Sequence, residues 1–229
     1  MAKPMLAVFG DSIAVGLGSR GGDYASIVAE ELGFSLCNFA VSGFTIRDSL
    51  NLFRKTETRP ALAIVAHGIT EPIFRPVPRT LQLLPARWQR LGWMDPRAYY
   101  STRLSRRILE KIESGVRWRT KNIFMKLFGT SVLLPLDSYL ECAKTFEIEL
   151  SKLGCRVIFL SPLNIDAKFF PGSDKSQESY YSALESLGFE TIDLRSILTM
   201  WDDYLLDHFH PNQTGHRKIA DSIVSYFKE

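Results

Sequence analysis

The sequence predicts a three-layer α/β/α sandwich built on a parallel sheet of about five strands. Short apolar runs alternate with amphipathic helical patterns along most of the 229 residues. This alternation favours right-handed crossovers that cover both faces of a parallel sheet with helices. A chain of this length suffices for one α/β domain, or for one such domain with a large insertion.

Five apolar segments are the candidate strands. Three are continuous runs, at 5–9 (MLAVF), 61–66 (ALAIVA) and 156–161 (RVIFLS). The segments at 35–39 (SLCNF) and 189–194 (FETIDL) are weaker. Continuous apolar runs of this length are typical of strands that are buried on both faces, as in a parallel sheet.

Helical patterns lie between or after these strands, at 23–33, 136–154, 177–188 and 213–227. Each has apolar residues at helical spacing, so one side of each helix is expected to face the sheet. The first three end at a glycine, which commonly closes a helix in the left-handed conformation.

The interval 72–135 breaks this rhythm. It is far longer than an ordinary connection in a compact α/β unit, and it contains a helical pattern of its own at 99–128. We therefore predict a single domain over residues 1–229, with 72–135 as a basic helical insertion or cap over the carboxyl edge of the sheet.

The charge distribution is strongly asymmetric. Thirteen Lys or Arg and three acidic residues lie between Arg75 and Lys126, a net charge of +10, whereas fifteen basic and twenty-two acidic residues give −7 elsewhere. Such a division predicts a face that meets something anionic. Arginines mixed with Trp, Leu and Phe suit phosphate or carboxylate recognition, a membrane surface, or an acidic carrier protein. A solvated basic helix with core aromatics is the alternative. No nucleic acid is expected, because no known binding motif accompanies the charge.

Composition indicates a soluble globular protein. Cys37, Cys142 and Cys155 are too few and too scattered for a disulfide framework, so we expect reduced and mostly buried thiols. The N-terminal residues have no long apolar signal core, and no run approaches the roughly 20 apolar residues of a membrane span. The cytoplasm is the expected location.

Ser12 follows the first strand in the stretch FGDS. Ligands of open parallel sheets bind outside the carboxyl ends of the strands, so this serine lies where catalysis is expected. Gly-Asp-Ser at a strand end is also compatible with a turn that needs these residues only for its backbone geometry.

A second chemistry-bearing segment, LLDHFHPNQTGH, precedes the last helix. Asp207 and His210 are three residues apart, which lets a carboxylate orient an imidazole whose other nitrogen faces a nucleophile. The alternative is a turn capped by Asp207 with His210 on the surface. His208 is expected to point away from the site, and His216 to lie on a solvated face of the helix.

A third segment, NFAVSGFTIRD at 38–48, places a Ser-Gly turn after the second strand. A glycine such as Gly43 can bring its backbone N–H close to a ligand, as an oxyanion hole requires. It can equally serve the turn alone.

Taken together, FGDS, VSGFT and DHFHP in this order resemble the SGNH/GDSL hydrolase superfamily. The resemblance covers nearly the whole chain except the insertion. It implies a flavodoxin-like sandwich in which Ser12 is the nucleophile, His210 the general base and Asp207 the residue that orients it. The backbone N–H groups of Ser12 and Gly43 would form part of the oxyanion hole, and Asp11 would support the turn.

The third block departs from the family pattern. The family reads Gly-x-Asn-Asp after the third strand, where the asparagine donates the third oxyanion hydrogen bond. Here AHGITEP places Gly68, Thr70 and Glu71 at the glycine, asparagine and aspartate positions. Thr70 could donate instead, His67 could be the substitute, or the site is arranged differently. Glu71 would be a supporting residue.

The sequence thus predicts a serine esterase that needs no metal or organic cofactor. Its expected substrate is an acylated sugar, metabolite or lipid with negative charge, free or carrier-bound, and the insertion would hold it. Two alternatives stay open, namely acyl transfer through the same acyl-enzyme on Ser12 and a non-catalytic ligand-binding protein. Peripheral contact with a membrane or an acidic carrier is a further expectation.

Overall fold

The computed structural model describes residues 3–199 and 201–228. These residues form seven strands: β1 (Met5–Gly10), β2 (Ser35–Asn38), β3 (Leu62–Ala66), β4 (Arg75–Pro76), β5 (Thr130–Ser131), β6 (Arg156–Leu160) and β7 (Thr191–Ile192). They also form seven α-helices: α1 (Tyr24–Glu31), α2 (Ile46–Phe53), α3 (Pro78–Leu81), α4 (Leu104–Phe128), α5 (Leu136–Ser151), α6 (Ser173–Glu185) and α7 (Gln213–Lys228). A 3₁₀ turn covers Ala86–Gln89.

The main sheet has five parallel strands in the order β2-β1-β3-β6-β7. Helices cover both of its sides, so the predicted three-layer α/β/α sandwich is confirmed. Every predicted strand is present, although β7 has only two residues where six were expected. Because β1 lies between β2 and β3, the loops that follow these three strands meet at one carboxyl edge.

The pleat of β1 shows why a continuous apolar run suits this position. Leu6 and Val8 pack in the core on the side of α1 and α7, whereas Ala7 and Phe9 pack on the side of α2 and α5. Successive side chains of a strand point to opposite faces, so a strand with helices on both sides is apolar at every position. All four side chains are fully buried.

Helix α2 was missed by the sequence analysis. It has eight residues, too few for a clear helical period, and only Ile46, Leu50 and Phe53 mark its apolar side. Its signal is local: the Thr45 side chain accepts a hydrogen bond from Asp48 N–H, and the Asp48 carboxylate accepts one from Thr45 N–H. This capping box fixes where the helix begins.

The segment from 72 to 135 contains β4, α3, the 3₁₀ turn, α4 and β5. Its two ends are joined by an antiparallel ribbon in which Arg75 pairs with Ser131 and Pro76 with Thr130. The long helix α4 has 25 residues and lies against β4. Among the described residues, every helix is too short or too polar to span a bilayer.

Candidate active site

Ser12 stands at the carboxyl edge of the sheet, two residues after β1 ends. The turn is held by backbone hydrogen bonds from Val15 N–H to Asp11 O and from Leu17 N–H to Ser12 O, both 3.0 Å. Asp11 Oδ1 also accepts from Ile13 N–H at 3.0 Å. The Gly-Asp-Ser stretch therefore does shape a turn, and that turn holds the Ser12 side chain at the wall of a cleft.

His210 and Asp207 come from the loop before α7, and the structure brings both to Ser12. His210 Nε2 is 2.8 Å from Ser12 Oγ, and His210 Nδ1 is 2.6 Å from Asp207 Oδ2. A carboxylate can only accept, so Nδ1 carries the proton of the neutral ring and Nε2 is left to accept the Ser12 hydroxyl. Asp207 Oδ1 meanwhile accepts from the N–H groups of Phe209 and His210, both at 3.1 Å.

The two loops are held together by a close backbone approach. Gly18, in the loop after Ser12, has a φ of +106°, and a Cβ at this position would lie only 2.1 Å from Pro211 O. Pro211 follows His210 and forms an isolated β-bridge with Tyr204. Only glycine combines this backbone conformation with such close contact, so Gly18 permits the close spacing between the Ser12 loop and the His210 loop.

Gly43 and Thr70 line the same cleft of about 430 Å³ as Ser12, Asp207 and His210. Gly43 has a φ of +81°, in the left-handed region that favours glycine, in a turn closed by Phe44 N–H donating to Val41 O at 3.1 Å. The predicted site residues from the loops after β1, β2 and β3 thus meet at one place.

Thr70 does not stand free in this cleft. Its hydroxyl forms a short hydrogen bond with Asp11 Oδ2, and both residues are buried. While Asp11 is a carboxylate, the single proton of Thr70 is directed at it. Burial raises the pKa of Asp11, against the opposing effect of its hydrogen bonds with Thr70 and Ile13. Protonated Asp11 can itself donate to Thr70, which frees the threonine proton, so Asp11 decides whether Thr70 can donate into the cleft.

His67 does not fit the role of substitute donor. Its Nε2 is 2.9 Å from Ser49 Oγ, and its Nδ1 is 3.2 Å from Glu71 Oε1, with the His67 and Glu71 side chains fully buried. Both ring nitrogens therefore face the core rather than the cleft. Glu71 accepts from Ile46 N–H at 2.7 Å and from Gly68 N–H at 3.0 Å, so it ties the start of α2 to the turn after β3.

The two other histidines lie outside the Ser12 contact. His208 Nδ1 is 2.7 Å from Asp166 Oδ2, and its ring stacks on Trp201. The expectation that His216 lies on a solvated face is wrong. It is fully buried, stacks on Tyr24, and burial lowers its pKa. The reason is that the first turn of α7 packs under the loop that carries Gly18, where His216 Nε2 is 3.3 Å from Leu17 O.

The bulk charge of segment 72–135 did not single out three charged residues, two of which line the cleft while the third pairs with one of them. Arg75 and Asp95 line it, and Lys121 Nζ is 2.5 Å from Asp95 Oδ1. Arg75 Nη1 donates to Thr70 O at 2.9 Å and to Ile73 O at 3.1 Å, while its Nε is buried with no hydrogen-bond partner among the described residues. Burial lowers the pKa of both Arg75 and Lys121.

A weak signal for Lys121 was present in the sequence. The buried side of α4 consists of Ser114, Arg117, Lys121 and Met125, at spacings of three and four. A buried helix side made of polar residues is hard to recognise in a segment that contains thirteen basic residues. Within residues 3–199 and 201–228, no group of three or more His, Cys, Asp or Glu side chains is arranged to hold a metal ion.

Solved structures with the same fold cover almost the whole chain. An α/β hydrolase, LAE5, from the metagenome of Lake Arreo is 16% identical, with a TM-score of 0.61 over 98% of this chain and 94% of that one. The acetylxylan esterase Axe2 from Geobacillus stearothermophilus is 17% identical, with a TM-score of 0.60 and the same coverage. A member of the lipolytic G-D-S-L family from Veillonella parvula is 14% identical, with a TM-score of 0.56 over 98% of both chains.

These similarities confirm the predicted fold: the chain shares the three-layer architecture of these hydrolase, esterase and lipolytic structures. A scan against protein-family models found no match, and a search of the curated proteins found none either.

Replacing Gly18 by alanine is expected to separate the loop that carries Ser12 from the loop that carries His210. The added Cβ meets a backbone carbonyl, which cannot swing aside as a side chain can. In a crystal structure of Gly18→Ala, the distance between Ser12 Oγ and His210 Nε2 should exceed the roughly 3.5 Å of a hydrogen bond. Gly21→Ala is the matched control, because nothing lies within 4 Å of its added Cβ. An unchanged 2.8 Å contact in Gly18→Ala contradicts this account of the loop spacing.

Proposed function

We propose that the protein is a serine ester hydrolase. The observation that carries the proposal is the unbroken hydrogen-bond chain from Ser12 Oγ through His210 to Asp207, at 2.8 and 2.6 Å. It lies at the carboxyl edge of a parallel sheet, where ligands of this architecture bind. The named activities of the structural neighbours, an acetylxylan esterase and a lipolytic protein, support the same class of reaction.

In the proposed mechanism, Ser12 Oγ attacks the acyl carbon as His210 Nε2 takes its proton. The imidazolium, held by Asp207, then gives that proton to the departing alkoxide, which leaves as the alcohol. A water molecule next attacks the acyl-enzyme while His210 again accepts a proton. The bond to Ser12 breaks, its oxygen regains the proton, and the carboxylic acid is released.

The proposed oxyanion hole has two backbone donors, the N–H groups of Ser12 and Gly43, and a conditional third donor in Thr70. One oxyanion donor is worth about 2.7–4 kcal/mol in kcat. The bond between Thr70 and Asp11 therefore gives the protonation of Asp11 a direct influence on the rate. Asp11 and Glu71 are proposed as supporting residues, because Asp11 bonds to Thr70 in the loop after β3 and Glu71 ties that loop to the start of α2.

The proposed substrate is a small acylated compound with negative charge on its acyl or alcohol part. Arg75 supports this, because it lines the cleft and the hydrogen bonds it makes to the described residues use only its Nη1. Arginine forks suit carboxylates and phosphates. The net charge of +10 over the insertion would attract such a substrate, with the insertion acting as a cap on the cleft.

Acyl transfer is a second candidate, favoured by a neighbouring chamber. This cavity of about 300 Å³ is lined by Trp88, Met94 and Leu133, and it shares Arg75 and Asp95 with the Ser12 cleft. An alcohol bound there would compete with water for the acyl-enzyme. Analysis of the products separates the two reactions, since transfer gives a new ester and hydrolysis gives the free acid.

Loss of Ser12 or His210 is expected to remove esterase activity towards a p-nitrophenyl ester. Triad residues act as a unit, so Ser12→Ala and His210→Ala should each lower kcat by about 10⁴-fold or more, and Asp207→Asn by less. His208→Ala is the control and should stay close to the wild type, because its ring bonds to Asp166. Steady-state kinetics that rank His208→Ala as the more damaging histidine change, or that leave Ser12→Ala active, refute the assignment.

Arg75→Met is expected to weaken binding of anionic esters selectively. Losing a hydrogen bond to a charged group costs about 1.5–3 kcal/mol, which corresponds to a rise of about 10- to 150-fold in KM. A neutral acetyl ester should be affected far less, and Arg75→Lys should fall between. Arg79→Met, at an exposed position of α3, is the matched control. Equal losses for anionic and neutral esters point to damage to the turn after β3 and contradict a role in substrate selection.

A further inference from the structure

The outer side of α4 carries an unusual number of exposed apolar side chains. Eight large apolar residues of this helix are 45–70% exposed: Leu104, Ile108, Leu109, Ile112, Val116, Ile123, Leu127 and Phe128. The side that faces the protein is instead polar, with Ser114, Arg117 and Lys121 buried beside Met125. A surface helix of a globular protein has the reverse arrangement, so packing within this chain does not account for the apolar side.

Six of these side chains share one side of the helix and form a stripe along it. Leu104, Ile108, Ile112 and Val116 are four residues apart, and Ile123 and Leu127 follow on the same side after two turns. At 1.5 Å per residue the stripe is about 35 Å long. A long helix with an exposed apolar stripe and flanking cations is typical of segments that lie in the surface of a bilayer.

The exposed charges on α4 are all of one sign. Six exposed basic residues accompany the stripe: Arg103 just before the helix, then Arg106, Arg107, Lys111, Arg119 and Lys126. The two glutamates of the helix are only partly exposed and already paired, Glu110 with Arg106 and Glu113 with Arg117. The uncompensated charge around the stripe is therefore positive.

We propose that this side of α4 docks on an anionic lipid bilayer. A second copy of the chain would bring the same cations to the contact and repel, whereas an anionic surface is complementary to them. The stripe lies on a single helix, within a sector of about 140° at 3.6 residues per turn, and a one-sided apolar surface of this kind can lie in the headgroup region of a bilayer.

The docked orientation would bring the candidate active site close to the lipid. The inner side of α4 carries Lys121, whose ammonium pairs with Asp95 at the wall of the Ser12 cleft. One helix, about 10–12 Å thick, thus separates the bilayer surface from the cleft. Resting on the proposed function, this geometry favours esters that partition into the membrane surface.

The test measures vesicle binding with Ser12→Ala protein, so that turnover does not enter the result. The protein is sedimented with vesicles of phosphatidylcholine alone, or of phosphatidylcholine and phosphatidylglycerol in equal amounts. Binding is expected to the anionic vesicles, little to the neutral ones, and less as salt rises. Ile112→Glu with Ile123→Glu should lower the partition coefficient by about 100-fold or more, because two apolar anchors are lost.

The matched control adds the same two charges elsewhere. Ile148 and Leu153 are 48% and 41% exposed in and just after α5, so Ile148→Glu with Leu153→Glu should bind close to the parent protein. Equal losses in both variants, or no binding to anionic vesicles, overturn the proposal. Two other results also overturn it. One is self-association, seen by analytical ultracentrifugation, that the α4 variant abolishes while no vesicle binding is found. The other is binding to an acidic polypeptide but not to vesicles.

Hydrolysis of a soluble ester, measured in parallel with Ser12 intact, should be unchanged in the α4 variant. This measurement separates failure of docking from failure of the proposed function.

Discussion

The arrangement at the carboxyl edge depends on the buried carboxylate of Asp207. A buried charge is costly unless hydrogen bonds satisfy it, and Asp207 has three such bonds, from His210 Nδ1 and from two backbone N–H groups of its own loop. The same carboxylate therefore folds the loop and orients the ring. With the ring held, Nε2 can face only the hydroxyl that the turn after β1 presents, which is Ser12.

Much of this could be predicted from the sequence because it follows from topology. Strands buried on both sides have continuous apolar runs, and polar residues directly after them must lie at one edge of the sheet. Ser12, Gly43, Thr70 and His210 were expected near one another on this ground and on the family resemblance. Helix α2 was missed because its eight residues show a capping box rather than a clear period.

What escaped prediction depends on which residue fills a particular space. His216 looked like a solvated helix residue, yet α7 packs it against Tyr24. The sequence indicates Thr70 only as a possible donor to substrate, because its partner Asp11 is 59 residues away in the chain. His67 belongs to a core contact with Ser49 and Glu71 for the same kind of reason, since no sequence pattern specifies such a pairing.

Segment 72–135 is held by interactions that differ from those of the sandwich. Arg117 lies 3.5 Å above the ring of Trp93, and Lys121 lies 4.1 Å from the ring of Phe170 while it pairs with Asp95. Cations packed on aromatic rings and beside carboxylates replace much of an apolar core. The apolar residues of α4 are then not needed for packing against the protein and can face outward. The polar inner side of α4 and its apolar outer stripe therefore have the same structural cause.

The central claim is that Ser12 is an activated nucleophile, and covalent labelling tests it most directly. The wild-type protein is treated with a fluorophosphonate, digested and analysed by mass spectrometry. We expect one adduct, on Ser12, and its loss in His210→Ala, because the hydroxyl reacts only when the imidazole takes its proton. An unlabelled wild-type protein, or a label carried by a different serine, would contradict it.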